Sequence, residues 1–135
     1  MKIVLDTNVL VVSVSPKSKY RWIFDLFLHE KITLCVTLEI MLEYEEIITK
    51  LMNRDIAKSV IRVVKSAPNT ELVTKFFQWE LMKNDPDDNK FVDCAIASSA
   101  AYIVSEDKHF NILEKIDFPQ VEVIGIEKLR SIVSK

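Results

Sequence analysis

Short apolar runs alternate with helix-patterned segments along this chain, and that alternation constrains the fold more than any other feature. Lys2-Ile3-Val4-Leu5 and Ile32-Thr33-Leu34-Cys35-Val36 are brief, continuously apolar runs bounded by polar residues. Such runs read as strands buried on both faces. Further strands are expected at 71–75, 101–105 and 121–124. Between them, apolar residues recur at helical spacing in 20–31, 38–52, 55–66, 90–101, 109–115 and 126–133, with Thr37 placed to cap the second of these helices. Residues 13–18 read as a loop, 84–89 as a polar turn, and 76–82 has no clear period. Strands alternating with helices argue an α/β fold with a parallel sheet covered on both faces. Sites in such sheets form beyond the carboxyl ends of the strands. The residues just after each strand are therefore the informative ones.

Composition narrows the chemistry. The 135 residues read as one domain, and a 49% hydrophobic share supplies a sizeable core. Gly125 is the single glycine, which excludes a glycine-rich phosphate-binding loop. The net charge of −2 shows neither a basic arm nor an acidic tail. Cys35 and Cys94 lie far apart in apolar surroundings and read as reduced core thiols. The apolar stretch 3–14 is broken by Asp6 and Asn8, so it reads as neither a signal peptide nor a membrane span. The expected location is the cytoplasm.

Carboxylates stand at several of the informative positions. Asp6 follows the first strand between two apolar runs, where it serves either as a helix cap or as a buried, partnered charge. Glu43 shares a helical face with Glu39 and Glu46 and reads as part of a solvated stripe or as a ligand. Asp93 sits among small residues inside a helix, and Asp107 follows the strand 101–105. Asp85, Asp87 and Asp88 read first as turn and cap residues. Carboxylates converging without a cation raise one another's pKa, and Mg2+ or Mn2+ resolves the conflict through hard oxygen ligands.

Four motifs together make the sequence resemble a PIN domain, the family of Mg2+-dependent ribonucleases that includes VapC-type toxins. They are Ile3-Val4-Leu5-Asp6-Thr7-Asn8, Leu42-Glu43-Tyr44-Glu45-Glu46-Ile47, Phe91-Val92-Asp93-Cys94-Ala95-Ile96-Ala97 and Ser105-Glu106-Asp107-Lys108-His109-Phe110. The last departs from the common Thr-x-Asp-x-Asp-Phe form at Ser105 and His109. The run Asp85-Pro86-Asp87-Asp88-Asn89-Lys90-Phe91 is similar to the subgroup of toxin-antitoxin toxins. The resemblance implies a three-layer α/β/α sandwich with a central, mainly parallel sheet. It implies a catalytic Mg2+ or Mn2+ held by Asp6, Glu43 and Asp93, with Asp107 helping directly or through water. Thr7 or Ser105 would orient water or phosphate, Asn8 would fix Asp6, and Asp88 is an accessory or substitute ligand. A cognate antitoxin protein is the implied partner.

Two cationic features would serve an RNA substrate. Lys17, Lys19 and Arg21 interleave with Tyr20 and Trp22, and Arg54, Lys58, Arg62 and Lys65 fall on one helical face. Each reads alternatively as an ordinary solvated surface. His29 and His109 lack ligand spacing to another His or Cys and are expected to be structural. Phe76, Phe77 and Trp79 are expected to fill core. The competing functional readings are a catalytically silent PIN-fold module that binds RNA or protein, and a receiver-like phosphoacceptor. The second is disfavoured because Asp6 stands alone after its strand. A homodimer is permitted by the apolar surplus.

Overall fold

The chain was analysed as a computed structural model that describes residues 1–74 and 77–134. Its strands are β1 (Lys2–Leu5), β2 (Thr33–Val36), β3 (Thr70–Leu72), β4 (Tyr102–Val104) and β5 (Val123–Ile124). They form one sheet in the order β3-β2-β1-β4-β5, and every neighbouring pair is parallel. Ile3, Val4, Leu5, Leu34, Cys35, Val36, Ile103 and Val104 are almost completely buried. That is why these runs are apolar throughout and do not alternate: helices cover both faces.

The helices are α1 (Thr7–Val14), α2 (Arg21–Leu28), α3 (Leu38–Leu51), α4 (Arg54–Ser66), α5 (Asn89–Ser98) and α6 (Ile126–Val133), with 3-10 turns at Pro86–Asp88 and Lys108–Lys115. The α/β architecture expected from the sequence is the one observed. Two helix starts are fixed by side chains. The Ile40 amide donates to Thr37 Oγ1 at 3.1 Å, and the Ile56 amide donates to Asn53 Oδ1 at 2.8 Å. Ser99, at φ 56°, ends α5 in the left-handed conformation, three residues before β4.

Several expectations need correction. α1 starts at Thr7 and runs to Val14, taking the first two residues of the expected loop 13–18. The third strand is shorter than 71–75, starting at Thr70 and ending at Leu72, and Lys75 and Phe76 lie outside the described residues. The 109–115 segment is a 3-10 helix, not an α-helix. Phe77 does not fill core: it is 63% exposed, and its ring lies 4.7 Å from that of half-buried Trp79. The stretch from 77 to 82 has neither helical nor strand backbone, so it has no periodic face to turn inward.

Both cysteines are buried and free. Tyr44, from α3, is wholly buried, and its hydroxyl donates to the Leu5 carbonyl at 2.5 Å. Burial pushes its pKa well above the ordinary phenol value. This bond pins α3 to the carboxyl end of β1, where the chain leaves the sheet towards Asp6. Tyr44→Phe is expected to lower stability by about 1 kcal/mol, or roughly 3 °C in Tm, read by thermal melting. An unchanged Tm would show that the bond contributes nothing.

Candidate metal centre

The strand order places a topological switch point beside β1. The chain winds from β1 through β2 to β3, then crosses to β4 on the other side of β1. The carboxyl ends of β1 and β4 therefore border a crevice of the kind in which doubly wound sheets bind ligands. Asp6 leaves β1 into it and Ser105 leaves β4 into it. A cleft of about 390 Å³ opens there, lined by Asp6, Asn8, Val9, Tyr20, Glu106, Asp107 and neighbouring apolar residues.

Asp6 occupies the N-cap position of α1 but makes no side-chain capping bond. Its carboxylate instead accepts the Ser105 hydroxyl at 2.7 Å, and Ser105 Oγ in turn accepts the Asp107 amide at 3.0 Å. Burial raises the Asp6 pKa; the Ser105 hydroxyl and the Thr7 amide hold it down, while Asp107 and Glu43 push it up. Thr7 Oγ1 donates to Glu43 Oε2, and Lys90 Nζ lies 2.7 Å from Glu43 Oε1. Glu43 is thus fastened by its two oxygens, one to α1 and the other to α5, and is not a free member of a solvated stripe.

A second group of acids adjoins Asp6. One ligand atom from each of Asp85, Asp88, Asp107 and His109 lies within 4.8 Å of the others. Asp88 is 9% exposed, and its Oδ2 is buried with no hydrogen-bond partner. Its pKa is pushed up to about 7, first by burial, then by the charges of Asp85, Asp6 and Asp107, and by a hydrogen bond to Asp85 that favours the protonated acid. His109 Nδ1 lies 3.0 Å from Asp85 Oδ2 and 3.4 Å from Asp107 Oδ1, and bonding to Asp85 raises its pKa. Asp107 also accepts the His109 amide at 2.9 Å and so caps the 3-10 helix 108–115. A divalent cation fits this donor set: hard oxygens predominate, one is buried without a partner, and the neighbouring charges push Asp88 towards its neutral form.

Asp93 is not a member of that group. It is buried, and its Oδ1 accepts the Trp79 amide at 3.2 Å. It lines a separate groove of about 240 Å³ with Glu39, Asp87 and Lys90. Among the described residues, Asp6, Glu43 and Asp93 do not form a group within the 4.8 Å span that joins Asp85, Asp88, Asp107 and His109.

The cationic features divide. Lys17 and Lys19 are exposed, and Lys19 Nζ sits 5.1 Å from the centre of the Tyr20 ring at the rim of the Asp6 cleft. Arg21 is committed internally: it donates to the Val14 carbonyl and to Asp25 Oδ1, and stacks 5.1 Å from Phe24. Lys58, Arg62 and Lys65 line a shallow groove on α4 with Glu45, and Arg54 and Lys58 line another with Glu45, Glu46 and Lys50.

A parallel α/β sheet with carboxylates gathered at its switch point is the class of domain this geometry defines. Residues 2–109 match the family model described as the PIN domain, and the chain belongs to the PIN domain family. Among solved structures it is similar to VapBC2 from Rickettsia felis bound to a DNA fragment from their promoter. The TM-score is 0.63 at 16% identity, over 93% of this chain and 98% of that one. It is also similar to FitAcB from Neisseria gonorrhoeae, with TM-score 0.53 at 17% identity, over 90% and 96%. At such identities the likeness is one of fold. No curated protein matches the sequence.

Lys90, Asp85 and His109 escaped assignment from sequence. Lys90 pairs with a residue 47 positions earlier, and His109 meets Asp85 across 24 positions. No local spacing reports such contacts. The one available signal was the density of acids in 85–88 followed by a histidine two residues after Asp107.

Proposed function

We propose that this protein is a cytoplasmic, divalent-metal-dependent endoribonuclease, the toxin of a toxin-antitoxin pair. The observation that carries the reading is the buried, unpartnered Asp88 oxygen beside Asp6 and Asp107 at the switch point. Membership of the PIN domain family supports the nuclease chemistry, and likeness to the VapBC2 and FitAcB structures supports the toxin assignment. No helix among the described residues is long and apolar enough to cross a membrane.

Asp6, Asp88 and Asp107 would hold Mg2+ or Mn2+, with Glu43 adjoining. The cation supplies a lowered water pKa and charge stabilisation at the phosphorus. In the reaction, water oxygen bonds to phosphorus, one P–O ester bond breaks and the leaving ribose oxygen takes a proton. The chain's own residues set up that step. The Ser105 hydroxyl fixes one Asp6 oxygen, and the Asp107 amide fixes Ser105. Lys90 and Thr7 hold the two Glu43 oxygens. Lys19 and Tyr20 at the rim meet a phosphate and a base. Asp93 acts as a positioning residue through the Trp79 amide.

RNA cleavage with Mg2+ or Mn2+, with and without EDTA, tests the reading. Cleavage is expected only with metal and to be lost in Asp88→Asn. Asp93→Asn should cost less than tenfold, because its carboxylate faces the Trp79 backbone. Equal cleavage in every arm would mark a contaminant and overturn the reading. A metal-dependent loss greater in Asp93→Asn than in Asp88→Asn would return the ligand role to Asp93.

A further inference from the structure

We propose that Lys90 is a positioning residue that keeps Glu43 off the metal, so that each chain takes one divalent cation and not two. The inference rests on the metal reading above. It adds to that reading the number of ions and the residue that sets it.

Phosphodiester hydrolysis is run by single ions and by pairs held about 3.5–4 Å apart. A second ion needs acids of its own beside the first set. The acids whose charges raise the Asp6 pKa are Asp107 and Glu43, and Glu43 is not a member of the group formed by Asp85, Asp88, Asp107 and His109. Glu43 is therefore the acid on which a second ion beside Asp6 would depend.

Both of its oxygens are engaged. Oε2 accepts the Thr7 hydroxyl, and Oε1 lies 2.7 Å from Lys90 Nζ. The lysine is enclosed: its side chain is only 10% exposed. Its Nζ also donates to the Asp87 carbonyl at 2.6 Å and lies 5.3 Å from the centre of the Phe91 ring. A solvated lysine could swing away to admit an ion. This one would leave an enclosed charge without its carboxylate, which is costly. An ion placed on Glu43 with Lys90 still there would face a charge of its own sign. Lys90 thus gives Glu43 the compensation that a second ion would otherwise supply.

The backbone fixes this division of labour. Asp88 ends the 3-10 turn Pro86–Asp88, and Lys90 is the second residue of α5, which follows without a break. The segment that brings an acid to the first ion also brings the ammonium to Glu43.

The test counts Mn2+ ions bound to the full chain without RNA, by equilibrium dialysis and metal analysis, in wild type, Lys90→Met and Lys90→Arg. Electron paramagnetic resonance of the bound Mn2+ tells an isolated ion from a coupled pair and needs no activity. Wild type and Lys90→Arg, which keeps the charge, are expected to bind one ion. Lys90→Met is expected to bind two, with the signal of a coupled pair. Melting curves check that the variants fold. Glu43→Gln gives a second measure that does not depend on the folding of Lys90→Met: it should keep the one ion with less than a fivefold loss of affinity. Two ions in wild type or in Lys90→Arg, one ion in a folded Lys90→Met, or a larger loss in Glu43→Gln would overturn the inference. No bound ion in the wild type would instead overturn the metal reading itself.

Discussion

Asp6→Asn is expected to reduce RNA cleavage at least about a hundredfold while the protein stays folded. A hundredfold corresponds to about 2.7 kcal/mol of lost transition-state stabilisation. The amide keeps the shape of the side chain, and its oxygen can still accept the Ser105 hydroxyl that Asp6 accepts at 2.7 Å. What disappears is the negative charge at the mouth of the switch point. Because burial already raises the Asp6 pKa, a neutral side chain removes a desolvation cost. The Tm measured without metal should therefore hold or rise. The two readouts move in opposite directions, which a merely structural role would not produce. Cleavage at the wild-type rate would sink the assignment of Asp6.

The second large effect concerns Asp88. Its pKa is pushed up to about 7 in the folded protein, against an ordinary value of 3.8. Folding therefore favours the protonated acid. The stability this contributes is full below pH 3.8 and is lost as pH rises through 7. The Asp88→Asn variant carries no such loss. At pH 8 without metal it should be more stable than wild type by about 2 kcal/mol, roughly 6 °C in Tm, and the gap should close towards pH 4. The full shift would give more, but Asp85 is only half-buried and His109 is exposed, so water screens part of the repulsion. A saturating divalent cation should reverse the order at pH 8, because it binds the folded wild type and stabilises it by mass action. Melting curves across pH, with and without Mn2+, read both effects. A wild type that stays less stable with Mn2+ would show that Asp88 holds no cation.

Much of the architecture was legible because its signals are local. The runs 2–5 and 32–36 are apolar without alternation, and only strands buried on both faces need that. Thr37 stands before a helical period and caps it through its side chain, as its place predicts; Asn53, which caps the next helix in the same way, went unread. The helix 126–133 was bounded from its period alone. Illegible were the segments whose conformation answers to distant partners. The third strand is three residues long and only partly buried, so it has little apolar pattern to show. Trp79 is half-buried, with its amide on Asp93, while Phe77 beside it stays exposed.

The φ of Gly125, −85°, asks nothing that only glycine can give. Its missing side chain matters differently. Glu106 Oε1 accepts the Ile126 amide at 3.0 Å, and a Cβ on residue 125 would stand 3.1 Å from Glu106 Oε2. The absence of a side chain leaves Glu106 room at the start of α6, where a Cβ would make it shift by a few tenths of an ångström.

The site shows the same division. The sequence by itself determined that carboxylates follow the strands, that no glycine loop grips phosphate, and that the sheet is parallel. Composition, period and strand-exit position are properties of the chain alone. Which carboxylates meet was decided only by the tertiary structure. Asp88 and Asp93 lie five residues apart across the junction of a 3-10 turn and a helix, and either could be drawn into the metal site on paper. The seating of α5 against β1, β2 and β4 brings Asp88 beside Asp6 and Asp107 and turns Asp93 to the Trp79 backbone. Packing holds that arrangement, because α5 is enclosed all round over one turn, with Phe91, Val92, Asp93, Cys94 and Ala95 all buried.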